Sequence, residues 1–170
     1  MKSSVVLLLL TGAVLIFCGC SVPQLETMLG NFSYRHGDFQ DSLVRYISAA
    51  EETRLNGWAR FNLGSAYYAL GEWDSAREQW SRSAELSEGD AEFASLFNLG
   101  VISYNRAEYE EAYEFFRRAV GVRPGNREAK INLELSYRKM EMRQEVGRRI
   151  REPESGEGEL GEQDPGRRLM

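Results

Sequence analysis

Cysteine, histidine and proline are scarce in this chain. Its 170 residues include two cysteines, Cys18 and Cys20, one histidine, His36, and four prolines. No cysteine follows Cys20, so the body of the chain has no material for a disulfide framework, a CxxC redox pair or a cysteine-rich zinc site. His36 stands beside Gly37 where a helix is expected to end, and reads as a solvated turn residue rather than a catalyst. No nucleophile motif, phosphate loop or metal-ligand spacing accompanies it. Positive charge is in deficit too: the formal net charge is −5, the opposite of the dominant basic face of a nucleic-acid binder. The expectation is a protein with no enzymatic activity, cofactor, metal, nucleic-acid partner or small-molecule substrate.

Long hydrophobic runs are likewise few, and the one that stands out is at the start. Val5 to Phe17 follows Lys2, the only charge before Cys20, and gives way to small residues, which is the tripartite layout of a secretory signal. At about 13 residues it falls short of the roughly 20 that a membrane-spanning helix needs, which counts against an uncleaved anchor. The segment Phe17-Cys18-Gly19-Cys20 followed by Ser21 resembles the lipobox of bacterial lipoproteins, in which a small residue precedes the cysteine that is acylated. Phe17 departs from the usual leucine and Cys18 is not the commonest residue at its place, a relaxed form known in spirochaetes. The resemblance implies residues 1–19 as a signal peptide, lipidation at Cys20, a tether over 20–24 and a place in the cell envelope, facing the periplasm. An ordinary secretory cut nearby, leaving a soluble protein, is the competing reading. Each buried methylene contributes about 0.8 kcal/mol, so two or three acyl chains would hold the chain on a membrane almost permanently.

What the chain has in quantity is apolar residues, 42% of the total, enough for the core of one domain, and they repeat. Blocks beginning at Met28, Asn62 and Asn98 align, with Leu-Gly pairs at 29/30, 63/64 and 99/100 spaced 34 and then 36 residues apart. Leu-Gly, then an aromatic, then Gly-acid-aromatic, then Ala at this period resembles the tetratricopeptide repeat, a helix hairpin that stacks on its neighbours. The resemblance spans roughly residues 23 to 150 and implies an all-α solenoid: hairpins at about 23–56, 57–90 and 93–126 and a capping helix over 127–150, seven helices in a right-handed superhelix.

The residue pattern gives the physical reason. Small residues recur where paired helices would cross: Gly30, Ser42 and Ala49; Gly64, Ala76 and Ser83; Gly100, Ala112 and Ala119. Leu29, Phe39, Tyr46, Leu63, Trp73, Trp80, Leu99, Tyr109 and Phe116 are the expected core between them. Gly37 and Gly71 suit left-handed helix ends, with Asp38 or Glu72 opening the next helix. Ala107 takes that place in the third block, at a cost of about 1 kcal/mol if the geometry is kept. Gly89 is expected to close one helix and Asp90 to cap the next, with Asn126 capping the last. Residues 151–170 have too few apolar groups to offset ordering entropy and read as a disordered acidic tail.

A stack of this kind offers a concave face lined by the first helix of each hairpin. Asn62, Asn98 and Asn132 share one position of successive first helices and are expected to form a ladder whose amides can both donate to and accept from an extended peptide backbone. Trp58, Phe61 and Tyr68, with Phe97 and Tyr104, flank it and either anchor a partner or stack on the neighbouring hairpin. The basic clamp that some relatives use for acidic chaperone tails is not expected, since Thr27, Ala94 and Asn98 hold its places and Asn31 and Asn62 alone match. From Asn126 onward the chain is similar to short repeat proteins of the Bat (Bacteroides aerotolerance) type, which implies von Willebrand-type partner domains. The expected function is a membrane-anchored adaptor that holds an envelope protein or peptide; a fixed lipoprotein subunit of an outer-membrane assembly complex, or a Bat-type stress-tolerance component, is the alternative.

Overall fold

The computed structural model describes residues 22–52 and 57–151. The signal segment 1–19, Cys20 and the acidic tail beyond Arg151 lie outside the described residues. Among the described residues seven helices run in order: α1 (Val22–Arg35), α2 (Phe39–Glu52), α3 (Gly57–Ala69), α4 (Trp73–Leu86), α5 (Asp90–Asn105), α6 (Tyr109–Val122) and α7 (Arg127–Arg151). There is no strand among the described residues. Each helix packs on the next, and α3 also meets α5, so the chain folds as successive hairpins with their first helices side by side. Helix α1 opens at Val22, earlier than the tether over 20–24 allows for, with Pro23 in the first turn where a missing N–H breaks no helical bond.

The hairpin crossings fall where the small residues predict. A Cβ built on Gly30 would lie 2.7 Å from Tyr46, one on Gly64 2.6 Å from Trp80, and one on Gly100 2.7 Å from Phe116. In each hairpin the second helix therefore seats an aromatic ring directly on the glycine of the first. Ser42, Ala49, Ala76, Ser83, Ala112 and Ala119 are all buried at the same contacts. Ser83 satisfies its hydroxyl by donating to the Gly57 carbonyl at 2.7 Å, and it accepts from Ser95 of the next hairpin at 2.8 Å.

The turns repeat bond for bond. Asp38, Glu72 and Glu108 donate their N–H groups to the carbonyls of Ser33, Tyr67 and Ser103, closing the same helix-ending loop three times. Gly37, Gly71 and Ala107 hold φ of 84°, 81° and 59°, so the third turn keeps the left-handed geometry despite its Cβ. Arg143 of α7 donates to the Ala107 carbonyl at 2.7 Å and braces that turn. Asn126 caps α7 as expected, its Oδ1 accepting from the Ala129 N–H at 2.7 Å. At the insertion the roles shift by one residue: Gly89, with φ of 71°, occupies the cap position, and Asp90 is already the first residue of α5. There its carboxylate pairs with Arg123.

Of the expected core residues Phe39 and Tyr109 are only half-buried, and two more are exposed. Trp73 is 52% exposed. In hairpins one and three the corresponding rings, Phe39 and Tyr109, pack edge-on against Tyr34 and Tyr104 at 5.2 and 5.4 Å. The matching Tyr68 instead tilts onto Trp80 at 5.6 Å, drawn by the larger indole that replaces Tyr46 or Phe116 at the crossing. Leu29 is 37% exposed, although Leu63 and Leu99 are buried. Leu63 packs with Tyr46 and Ala50, and Leu99 with Ala76 and Trp80, so this position faces the preceding hairpin. No described hairpin precedes α1.

Candidate groove on the concave face

Two adjoining hollows open along the first helices. The larger, of about 380 Å³, is walled by Asn31, Tyr34 and Arg35 of α1, Tyr46 of α2, and Phe61, Asn62 and Ser65 of α3. The smaller, of about 140 Å³, is walled by Tyr34, Ser65, Tyr68, Trp80, Asn98 and Val101. Tyr34 and Ser65 belong to both, so the hollows adjoin along the first helices of three hairpins. The arrangement follows from helix period: Asn62, Ser65 and Tyr68 are three residues apart, which puts them on one face of α3.

The groove floor is polar at its tips and apolar beneath. Tyr46 donates its hydroxyl to Asn31 Oδ1 at 2.7 Å, and Asn62 Nδ2 donates to the same oxygen at 3.4 Å. Trp80 donates its indole N–H to the Phe61 carbonyl at 3.0 Å. Burial pushes the Tyr46 phenol up to about 12, with Tyr34 adding to the shift, and burial raises Tyr34 as well. Both phenols therefore remain neutral hydrogen-bond donors across the physiological range. Arg35 brings a cation to the rim, its Nε donating to the Asn31 carbonyl at 3.2 Å.

The candidate residues separate into three groups. Asn62 and Asn98 line the depression, as do Phe61 and Tyr68. Trp58 is exposed and sets its ring edge-on to Phe61 at 5.4 Å, beside the groove. Phe97 and Tyr104 are engaged with their own hairpin, Phe97 edge-on to Phe116 at 5.6 Å and Tyr104 against Tyr109. Asn132 is half-buried on α7 and walls neither hollow. Seven lining residues, Asn31, Tyr34, Arg35, Tyr46, Ser65, Trp80 and Val101, escape the sequence reading as groove residues. Tyr34 was accessible by alignment, since it occupies the place of Tyr68 and Tyr104; Asn31 and Ser65 align with Val101 and carry no shared chemistry.

Elsewhere the chemistry is sparse. Among the described residues no three His, Cys, Asp or Glu side chains converge as a metal site, and no helix is long and apolar enough to cross a membrane. His36 is exposed at the end of α1, its Nδ1 2.8 Å from the Phe32 carbonyl.

Comparison with known proteins agrees with the geometry. Residues 27–91 and 95–128 match two family models, each described as tetratricopeptide repeat. The chain is 37% identical over 75 residues to human protein O-mannosyl-transferase TMTC1, covering 44% of this chain and 8% of that protein. It is 32% identical over 89 residues to the TPR repeat-containing protein MJ1428 of Methanocaldococcus jannaschii, covering 52% of this chain and 15% of that one. The likeness to both is therefore to a small repeat-bearing part of much longer proteins. Among solved structures it is similar to the first repeat domain of Spaghetti (RPAP3) bound to the HSP90 peptide SRMEEVD, with TM-score 0.64, 18% identity, and coverage of 71% of this chain and 94% of that one. It is also similar to the Yersinia enterocolitica secretion chaperone SycD in complex with a peptide of the translocator YopD, with TM-score 0.56, 20% identity, and coverage of 75% and 93%. Glycine-seated helix hairpins, a recurring left-handed turn and the two matching stretches lead to one conclusion: this chain is built of tetratricopeptide repeats and has their all-α fold.

Proposed function

We propose that the protein is a non-enzymatic adaptor that holds a partner protein, through an extended segment, in the depression walled by Asn31, Tyr34, Asn62, Ser65 and Asn98. The observation that carries the reading is the adjacency of the two hollows, which share Tyr34 and Ser65, with amides on both sides and the Tyr34 phenol between them. An extended peptide exposes alternating donors and acceptors, and amide side chains can serve both. Structural neighbours solved with peptides support a peptide as occupant. Lipidation at Cys20 would place this groove at an envelope membrane, and the likeness of the chain after Asn126 to the Bat type would make a von Willebrand-type domain the partner.

The test uses envelope crosslinking followed by affinity isolation through this chain. Replacing Asn62 and Asn98 together by Ala should reduce recovery of the crosslinked partner by roughly tenfold, the loss of one to two good hydrogen bonds. Helicity and melting temperature should hold near the parent values, because both amides are only half-buried. Undiminished recovery, or a loss of partner that merely tracks a loss of helicity, would refute the groove as the binding site.

A fixed structural subunit is a second reading, favoured by α7. Its 25 residues outrun the 14 of α6, and Ile131, Leu135, Met142 and Val146 form an exposed apolar stripe along it. Stoichiometric, detergent-stable co-purification with a β-barrel protein would favour that reading over transient recruitment.

A further inference from the structure

Leu25, Met28, Leu29 and Phe32 occupy positions i, i+3, i+4 and i+7 of α1 and so share one face of the helix. All four are exposed, at 51%, 68%, 37% and 57%. The Leu29 position is the one that hairpins two and three bury against the hairpin before them. The stripe is therefore the stacking face of a repeat with no described neighbour on that side. Between Leu25 and Phe32 it carries no charged side chain, since Glu26 lies off it and pairs with Arg45 of α2 at 3.3 Å; Arg35 and the exposed His36, whose ring lies 4.1 Å from that of Phe32, take the next positions and end the stripe.

We propose that this stripe is a membrane-contacting face, seated in the headgroup–acyl boundary of the bilayer to which the chain is anchored. The inference rests on the reading of Cys20 as the lipidated residue and goes beyond it by fixing which face of the fold meets lipid. The distance argument is short. Helix α1 begins at Val22, two residues after Cys20, and two residues reach at most about 7 Å. Acyl chains on Cys20 would thus enter the membrane within about 12 Å of Leu25, about two helical turns, at the end of the fold where the stripe begins. An amphipathic helix in the interface buries its apolar side about 5–10 Å deep, the reach of Met28 and Phe32 side chains.

Area argues against the other occupants. The four side chains expose on the order of 400 Å², so a symmetric pair of chains would bury about 800 Å² through them, below the roughly 1,200 Å² at which stable dimers begin. A fluid surface has no such threshold, because the acyl chains already supply the attachment and the stripe has only to orient it. Charge sets the manner of contact: with a net charge of −5 the chain is not drawn to anionic lipid, so the contact must be apolar. The consequence is an orientation, with α1 lying along the membrane and α7, six helices away, at the far end of the stack.

Spin labels distinguish the outcomes. The full chain is expressed with its own N-terminal segment, and Met28→Cys, Phe32→Cys and, as control, Met142→Cys variants are labelled and placed in phosphatidylethanolamine–phosphatidylglycerol vesicles. Collisions with oxygen, which partitions into lipid, are compared with collisions with a water-soluble nickel chelate. At 28 and 32 the ratio of oxygen to nickel collisions should exceed that at 142 by roughly tenfold, as for a site inside the boundary layer. High access to both reagents at 28 and 32 means the stripe faces water and overturns the proposal. Low access to both means protein covers it, a second copy or residues 1–21, and overturns it equally. Incorporation of labelled palmitate, abolished by Cys20→Ser, tests the anchor separately: incorporation with a water-facing stripe refutes this proposal alone, whereas no incorporation refutes the anchor and the proposal together.

Discussion

At the residue scale, two positions carry opposite expectations from one rule, that a Cβ is tolerated only where space and dihedral allow it. Gly64 has neither slack nor alternative, since Trp80 sits 2.6 Å from where its Cβ would be and is itself held by the Phe61 carbonyl. Gly64→Leu should therefore destabilise by more than the 1–3 kcal/mol usual for inserted methylenes, read as a fall in the urea midpoint. A variant that melts like the parent would show that the helices do not cross there. Ala107 is the reverse case: it holds φ of 59° with a side chain that disfavours it. Ala107→Gly should raise stability by about 0.5–1 kcal/mol, a gain of a few degrees in melting temperature, after allowing for the larger unfolded-state entropy of glycine. No gain would mean that the Arg143 hydrogen bond, rather than the dihedral, decides the energy of that turn.

At the element scale, stability is shared between adjacent helices and little else, as contacts run from each helix to its neighbours in the chain. Helix α7 is the lid of the last hairpin: buried Ala129 belongs to the cluster of Phe93, Leu96 and Ala119, against which Val120 and Val122 pack. Deleting residues 127–170 should raise amide exchange in α5 and α6 by roughly tenfold or more while leaving α1 and α2 near their parent rates. Uniform acceleration across all helices would instead indicate one cooperative unit. Ion pairs between hairpins, Arg77 with Glu108 and Glu111 and Arg106 with Asp74, add register more than energy, since all are partly exposed.

At the scale of the whole molecule, the fold was legible because its signal is periodic. Gly30, Gly64 and Gly100 each mark a crossing, Gly37 and Gly71 each mark a turn, and any one of them could have been read from the others. The groove was half legible. Asn62 and Asn98 repeat, and both line the hollows; Asn31 and Ser65 align with Val101, so no shared residue type marks their position. Trp73 was misplaced for a related reason: its burial depends on where Tyr68 turns, and that is settled by Trp80 across the hairpin rather than by the repeat pattern. Leu29 shows the other limit of periodicity: no described hairpin packs on that side of α1, so the face that the later hairpins bury is exposed there.

The common wall between the two hollows has a thermodynamic consequence. Because Tyr34 and Ser65 serve both, groups docked in the two hollows as proposed would share contacts, and their binding is expected to be interdependent. A guest long enough to fill both orders the shared side chains once, and a fragment spanning only one meets the same entropic toll for half the contacts. Under the proposed function, affinity should then climb more steeply than guest length, and the cleft would read tandem motifs rather than single residues.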